Sequence, residues 1–221
     1  MMTKPLQTSA AEELQHQPAR GGVRAAAKAR SRRKLLDAAK KLFMERGYEG
    51  ATVRDIAAAA DLSTGAVFAS FSDKADLFNE VLLGDCPTQV ELMEVRARDG
   101  FGRVQDRLVG VLREGYRFQL NQLELMRAAL SVSWSQGLNG ALRDRPIRQA
   151  TEGVIRTILE AAIASGELRE DADVDLIIDM VWDNYVANYR HALFAGSNAD
   201  QLTERLRRQV EILLAGQAPK S

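Results

Sequence analysis

The chain of 221 residues carries thirty Lys and Arg against thirty Asp and Glu, a balance that excludes a globally basic nucleic-acid binder. A hydrophobic content of 46%, only five prolines and long stretches rich in Ala, Leu, Arg and Glu point to an all-α protein with core enough for two domains. The lone Cys86 excludes an internal disulfide, His16 and His191 lie too far apart for metal-ligand spacing, and no apolar run approaches a membrane span, so the expectation is a soluble cytoplasmic protein without cofactor or metal.

Residues 1 to about 22 mix Gln, Pro, Thr, Ser and Glu without periodicity, which predicts a disordered tail. From Val23 to Arg33 the Ala- and Arg-rich stretch either extends the first helix upstream or stays a basic arm; residues 1–30 are read as tail. Charge concentrates here: nine Lys and Arg fall between Arg20 and Lys41 against the single acid Asp37. The spacing of Leu35, Leu36, Ala39, Leu42 and Phe43 predicts an amphipathic helix from Arg32 that ends at Gly47.

Thr52 predicts the next helix start, with Asp55 three residues on in a capping-box pattern. That helix stops at Asp61, a residue type that tolerates the left-handed conformation. Ser63 then caps a helix with Val67 and Phe71 turned inward and Thr64, Gly65, Ala66, Phe68 and Ser70 outward. Two short helices around one tight turn describe a helix-turn-helix, which lays its second helix in the DNA major groove. The spacing of Ile56, Leu62 and Val67 alone leaves an ordinary helical corner equally open.

The run KLLDAAKKLFMERGYEGATVRDIAAAADLSTGAVFASFSDKADLF resembles the N-terminal domain of the tetracycline-repressor (TetR) family of bacterial transcription regulators, over roughly Arg32 to Leu82. The resemblance implies a DNA-binding domain over residues 31–72 and a helical bundle over residues 73–217 that dimerises through its last two long helices and encloses a small-molecule pocket. It implies DNA contacts from Thr52, Arg54, Ser63, Thr64, Gly65, Ala66 and Lys74, with Thr64 on a base edge and Lys74 on a phosphate. The family usually places tyrosine at Phe68 and often histidine at Ser70, so these two remain contacts with altered chemistry.

Downstream, a helix begins around Leu77, Phe78, Val81 and Leu82, and Pro87 predicts a break or kink after Gly84. Asp99, Gly100 and Gly102 read as a loop. Helices follow from Val104, from Leu123 through Trp134 to near Gly137, and from about Pro146 to Ser165, where Gly166 caps the end. Arg148, Glu152, Arg156 and Glu160 form a predicted solvated ladder. The segments Val174–Ala195 and Leu202–Leu214 complete the bundle and suit a four-helix dimer interface. Phe118, Met126, Trp134, Trp182, Tyr185 and Tyr189 are the candidate pocket residues.

The expected function is a ligand-responsive repressor that binds a palindromic double-stranded operator as a homodimer and responds to a small-molecule effector. The alternatives are an architectural DNA-binding protein without effector and a helical enzyme. No nucleophile-elbow, zinc or phosphate-loop motif favours the enzyme.

Overall fold

The computed structural model describes residues 20–135 and 146–218, and every regular element among them is helical. In chain order these are α1 (Arg20–Gly50), α2 (Val53–Ala59), α3 (Thr64–Phe68), α4 (Lys74–Arg98), α5 (Val104–Leu120), α6 (Leu123–Ser135), α7 (Pro146–Ala164), α8 (Val174–Ala195) and α9 (Ala199–Leu214), followed by a 3₁₀ turn over Ala215–Gln217.

Two apolar cores organise them. The smaller joins Leu35, Ala39 and Phe43 of α1 with Ile56, Val67 and Phe71, as the amphipathic pattern predicts. It also recruits Leu77, Phe78 and Val81 of α4, and Leu125, Ala128 and Ala129 of α6. The larger core packs Leu108, Leu112 and Tyr116 of α5 against α7, α8 and α9, with Met93 from the far end of α4. Thus α4 and α6 each contribute to the head and to the body.

Three expectations are corrected. The stretch 20–30, read as tail, is helical from Arg20 onward, because Ala, Lys and Arg are strong helix formers and nothing between Gly22 and Gly47, where φ is 69°, interrupts them. Of the break or kink expected at Pro87, the break is absent: α4 runs through it, because the proline removes only the N–H that would reach the Leu83 carbonyl and packing on both cores holds the rest. Arg148 is not part of a solvated ladder; it is buried, paired to Glu152 and to Asp179 at 2.6 Å, with its guanidinium 5.8 Å from the Trp182 ring centroid. A lone arginine buried without such partners would be costly.

At Gly166 the left-handed conformation, φ 76°, closes α7 as expected, with the Glu167 N–H bonded to the Ala162 carbonyl at 2.9 Å. The position after α6, near Gly137, lies outside the described residues.

Candidate functional site

The head is built from local hydrogen bonds that the side chains dictate. Thr52 caps α2, its Oγ1 accepting from the Asp55 N–H at 3.1 Å and donating to Asp55 Oδ2 at 2.7 Å. That bond, reinforced by Arg46 and Arg54, holds the exposed Asp55 carboxyl below its usual range. α2 ends where Asp61 takes φ 57° and the Leu62 N–H returns to the Ala57 carbonyl at 2.9 Å, a Schellman closure made with aspartate in place of glycine. Ser63 Oγ then accepts from the Ala66 N–H at 3.2 Å and starts α3.

This turn presents one polar, small-residue surface. Thr52, Arg54, Ser63, Thr64 and Gly65 are exposed, Ala66 and Ser70 are half-buried, and Phe68 leaves 57% of its surface in solvent. Behind α3, Arg32 donates to the Ser70 carbonyl at 2.8 Å, pairs with Glu80 at 2.8 Å and stacks 4.3 Å from the Phe71 ring centroid. Lys74 opens α4 with Nζ lying 4.2 Å from the Tyr48 ring centroid, and Tyr48 packs in turn on Phe43 and Phe78.

The body holds a cavity of about 260 Å³ between α4, α5, α6, α7 and α8. Its wall is largely apolar: Leu82, Leu83, Met126, Ala129, Leu130, Ile147, Trp182 and Val186. Polar groups are few and neutral. Gln119 Nε2 donates to Gln89 Oε1 at 2.6 Å, and the Tyr185 and Tyr189 hydroxyls share a hydrogen bond at 2.7 Å. Burial pushes both phenols, and Tyr116 behind them, well above their ordinary ionisation range. Among the described residues no Lys, Arg, His, Asp or Glu lines the cavity.

A sequence profile described as bacterial regulatory proteins of the tetR family matches residues 35–81. The HTH-type transcriptional repressor Rv1474c of Mycobacterium tuberculosis is 30% identical over 166 residues, covering 71% of this chain and 80% of that protein. The chain belongs to the TetR family.

The HTH-type transcriptional repressor AcnR of Corynebacterium glutamicum is 27% identical over 181 residues, 80% of this chain and 88% of that protein. Among solved structures, the regulator FadR of Bacillus subtilis, crystallised with stearoyl-CoA, shares the fold with a TM-score of 0.60 at 20% identity, covering 83% of this chain and 97% of that one. As a TetR-family member the chain is a helix-turn-helix transcriptional regulator and not an enzyme.

Of the six candidate pocket residues, Met126, Trp182, Tyr185 and Tyr189 line the cavity. Phe118, half-buried on α5, is not among its lining residues: successive helical side chains point about 100° apart, and it is the adjacent Gln119 that faces the cavity. The side chain of Trp134 lies outside the described residues. Sequence reasoning missed Gln89 and Gln119 on the wall and Tyr48 beneath Lys74. Tyr48 lies in the run that carries the family resemblance, but nothing in the one-dimensional pattern points its ring at Lys74. No helix among the described residues is long and apolar enough to cross a membrane, and no group of three or more His, Cys, Asp or Glu there could hold a metal ion.

Proposed function

We propose that the protein is a homodimeric repressor whose α3 enters the major groove at each half-site of a palindromic operator, and that a small molecule in the cavity releases it. Acting on DNA, it works in the cytoplasm. The observation that carries this reading is the double allegiance of α4 and α6. Ala129 belongs to the head's core and to the cavity wall; Leu82 packs on the head and lines the cavity. A ligand that fits only one setting of these helices therefore biases the angle of the head.

Residues 31–72 read DNA in this account and residues 73–217 bind ligand and dimerise. Thr64, Gly65 and Ala66 approach base edges, while Thr52, Arg54, Ser63, Ser70 and Lys74 meet the backbone and Phe68 presses on a sugar or a thymine methyl. The effector is neutral and mostly apolar with one hydrogen-bonding end. A charged group would be stripped of water against a wall that, among the described residues, carries no counter-charge, at a cost of several kcal/mol. The Gln89–Gln119 amides and the two phenols supply the polar end.

Dimerisation falls to α8 and α9. Phe194 is 75% exposed and Ile212 78%, and both border grooves shared with Arg205 and Gln209, so they form one partly apolar face. Half-sites then lie about 34–36 Å apart or a little more.

Selection of duplexes from a randomised pool by the full-length chain tests the DNA reading: the result expected is a two-fold symmetric site. The effector class is tested with two probes differing by one charge. N-phenyl-1-naphthylamine, neutral, is expected to bind and to be excluded by Ala129→Trp; its sulfonated counterpart 1-anilinonaphthalene-8-sulfonate is expected not to compete. Tighter binding of the anion would refute the neutral-ligand reading. Binding of neither probe, together with DNA binding unaffected by any neutral metabolite, would favour an architectural protein.

A further inference from the structure

The first part of α1 is not needed to build the head. The helix begins at Arg20, yet its first fully buried residue is Leu35, and the described side chains from Arg24 to Arg30 are all exposed. From Arg20 to Leu36 the chain carries seven cations and no acid. One of them, Arg32, is committed to Glu80, to the Ser70 carbonyl and to the Phe71 ring. Among the described residues, none of Arg24, Lys28, Arg30, Arg33 and Lys34 has a carboxylate within ion-pair distance; the nearest basic neighbours downstream, Lys40 and Lys41, pair with Asp85 and Glu45.

Such a helix works against itself in water. Arg24 and Lys28, Lys28 and Arg32, and Arg30 and Lys34 are like charges at i,i+4, each pair repelling across one turn. No buried apolar face compensates, and continuity with the packed part of α1 is what extends the helix upstream. The missing component is a polyanion.

The direction of the stripe names which one. Arg24, Lys28 and Arg32 succeed one another at four-residue spacing and so share one side of the helix, each about 6 Å beyond the last. Arg32 shows where that side points, because its guanidinium reaches the Ser70 carbonyl just past the end of α3. Lys28 and Arg24 prolong the stripe outward from the end of α3, beyond the head.

We propose that this helical arm is a second DNA-binding element, and that Arg24 and Lys28 bind backbone phosphates flanking the half-site. The inference rests on the DNA-binding reading above. A helix is about 10–12 Å across with its side chains, whereas the minor groove is about 6 Å wide, so the arm does not enter the minor groove, and its cations meet the backbone. Its contribution is affinity and salt dependence without sequence preference.

The test uses the full-length chain and a duplex it has selected from a randomised pool, in two lengths: one ending at the half-sites and one extended by a helical turn on each side. Wild type is expected to bind the extended duplex at least tenfold more tightly, whatever the flanking sequence. The variant R24A/K28A is expected to lose that gain, to bind the short duplex as wild type does, and to show a log Kd against log salt slope shallower by roughly 3 to 4 for the four side chains of a dimer. Alanine keeps the helix, and an unchanged melting temperature confirms the fold. Equal affinity and equal salt slope for variant and wild type on the extended duplex would overturn the arm while leaving the DNA reading intact. A flank effect that depends on base sequence would overturn the backbone assignment. Failure of wild type to select any duplex would remove the DNA reading and the arm with it.

Discussion

Lys74 Nζ sits 4.2 Å from the centroid of the Tyr48 ring, so the lysine at the start of α4 is held in place by an aromatic at the C-terminal end of α1. The ring is itself fixed by Phe43 and Phe78, which ties the position of a candidate phosphate contact to the core of the head. A cation over a half-exposed ring gains about 0.5–1 kcal/mol, enough to favour one rotamer of a flexible side chain.

Removing the charge and removing its support should differ in degree. Lys74→Ala is expected to weaken binding to every duplex alike and to shallow the salt slope by about 0.9 for each protomer. Tyr48→Leu keeps the charge but releases it, and the expected loss is a few-fold with an unchanged slope. Titration of both variants across salt concentrations separates the two effects.

Gly65 offers a sharper dissection of fold from function. A Cβ there meets nothing closer than Ser63 Oγ at 3.7 Å, and alanine favours a helix over glycine by about 1 kcal/mol. Gly65→Ala should therefore leave the melting temperature unchanged or raise it. Bound DNA occupies that space in this account, so affinity for the selected duplex should fall about tenfold or more, 1.4 kcal/mol at the least.

Gly115 is the reverse case. A Cβ on this residue would overlap Tyr185 Oη and Met93 Cε, and the tyrosine cannot yield easily because its hydroxyl is bonded to Tyr189 at 2.7 Å. Gly115→Ala is expected to destabilise by about 1–3 kcal/mol through overpacking. For a chain of this size that is a fall of roughly 2–4 °C in melting temperature per kcal/mol, read by calorimetry.

The three buried phenols predict a limit on the alkaline side. Tyr116 donates to the Tyr185 carbonyl at 3.0 Å, and burial raises the ionisation of Tyr116, Tyr185 and Tyr189 above the ordinary value of 10.0. The unfolded chain releases these protons first, so the stabilisation is complete below pH 10 and is lost as pH rises beyond it. Denaturant midpoints should fall steeply above pH 10, and Tyr116→Phe should make that fall shallower.

The turn was legible because its determinants are local. Thr52 and Ser63 cap the helices that follow them, and Asp61 takes the left-handed conformation, each through bonds within a few residues. The apolar spacing of Leu35, Ala39 and Phe43 located the face of α1 that packs, but it could not reveal that α6 covers the same core. Arg148 shows why. Its i,i+4 register with Glu152 reads as surface, and only the approach of Asp179 and Trp182 from α8 makes it interior. At Pro87 a break does not form for a related reason, since packing on two cores outweighs one missing hydrogen bond. In the cavity the aromatic residues were visible in the sequence, whereas Gln89 and Gln119 came together only through the pairing of α4 with α5.

The central claim, that α3 reads base sequence, is tested most directly by the ratio of affinities for the selected duplex and a scrambled duplex of equal length and composition. Wild type is expected to prefer the selected duplex by at least a thousandfold, and Thr64→Ala to lose about tenfold or more of that preference while binding the scrambled duplex unchanged. Equal affinity of wild type for the two duplexes, or a Thr64→Ala variant with undiminished preference, would contradict it.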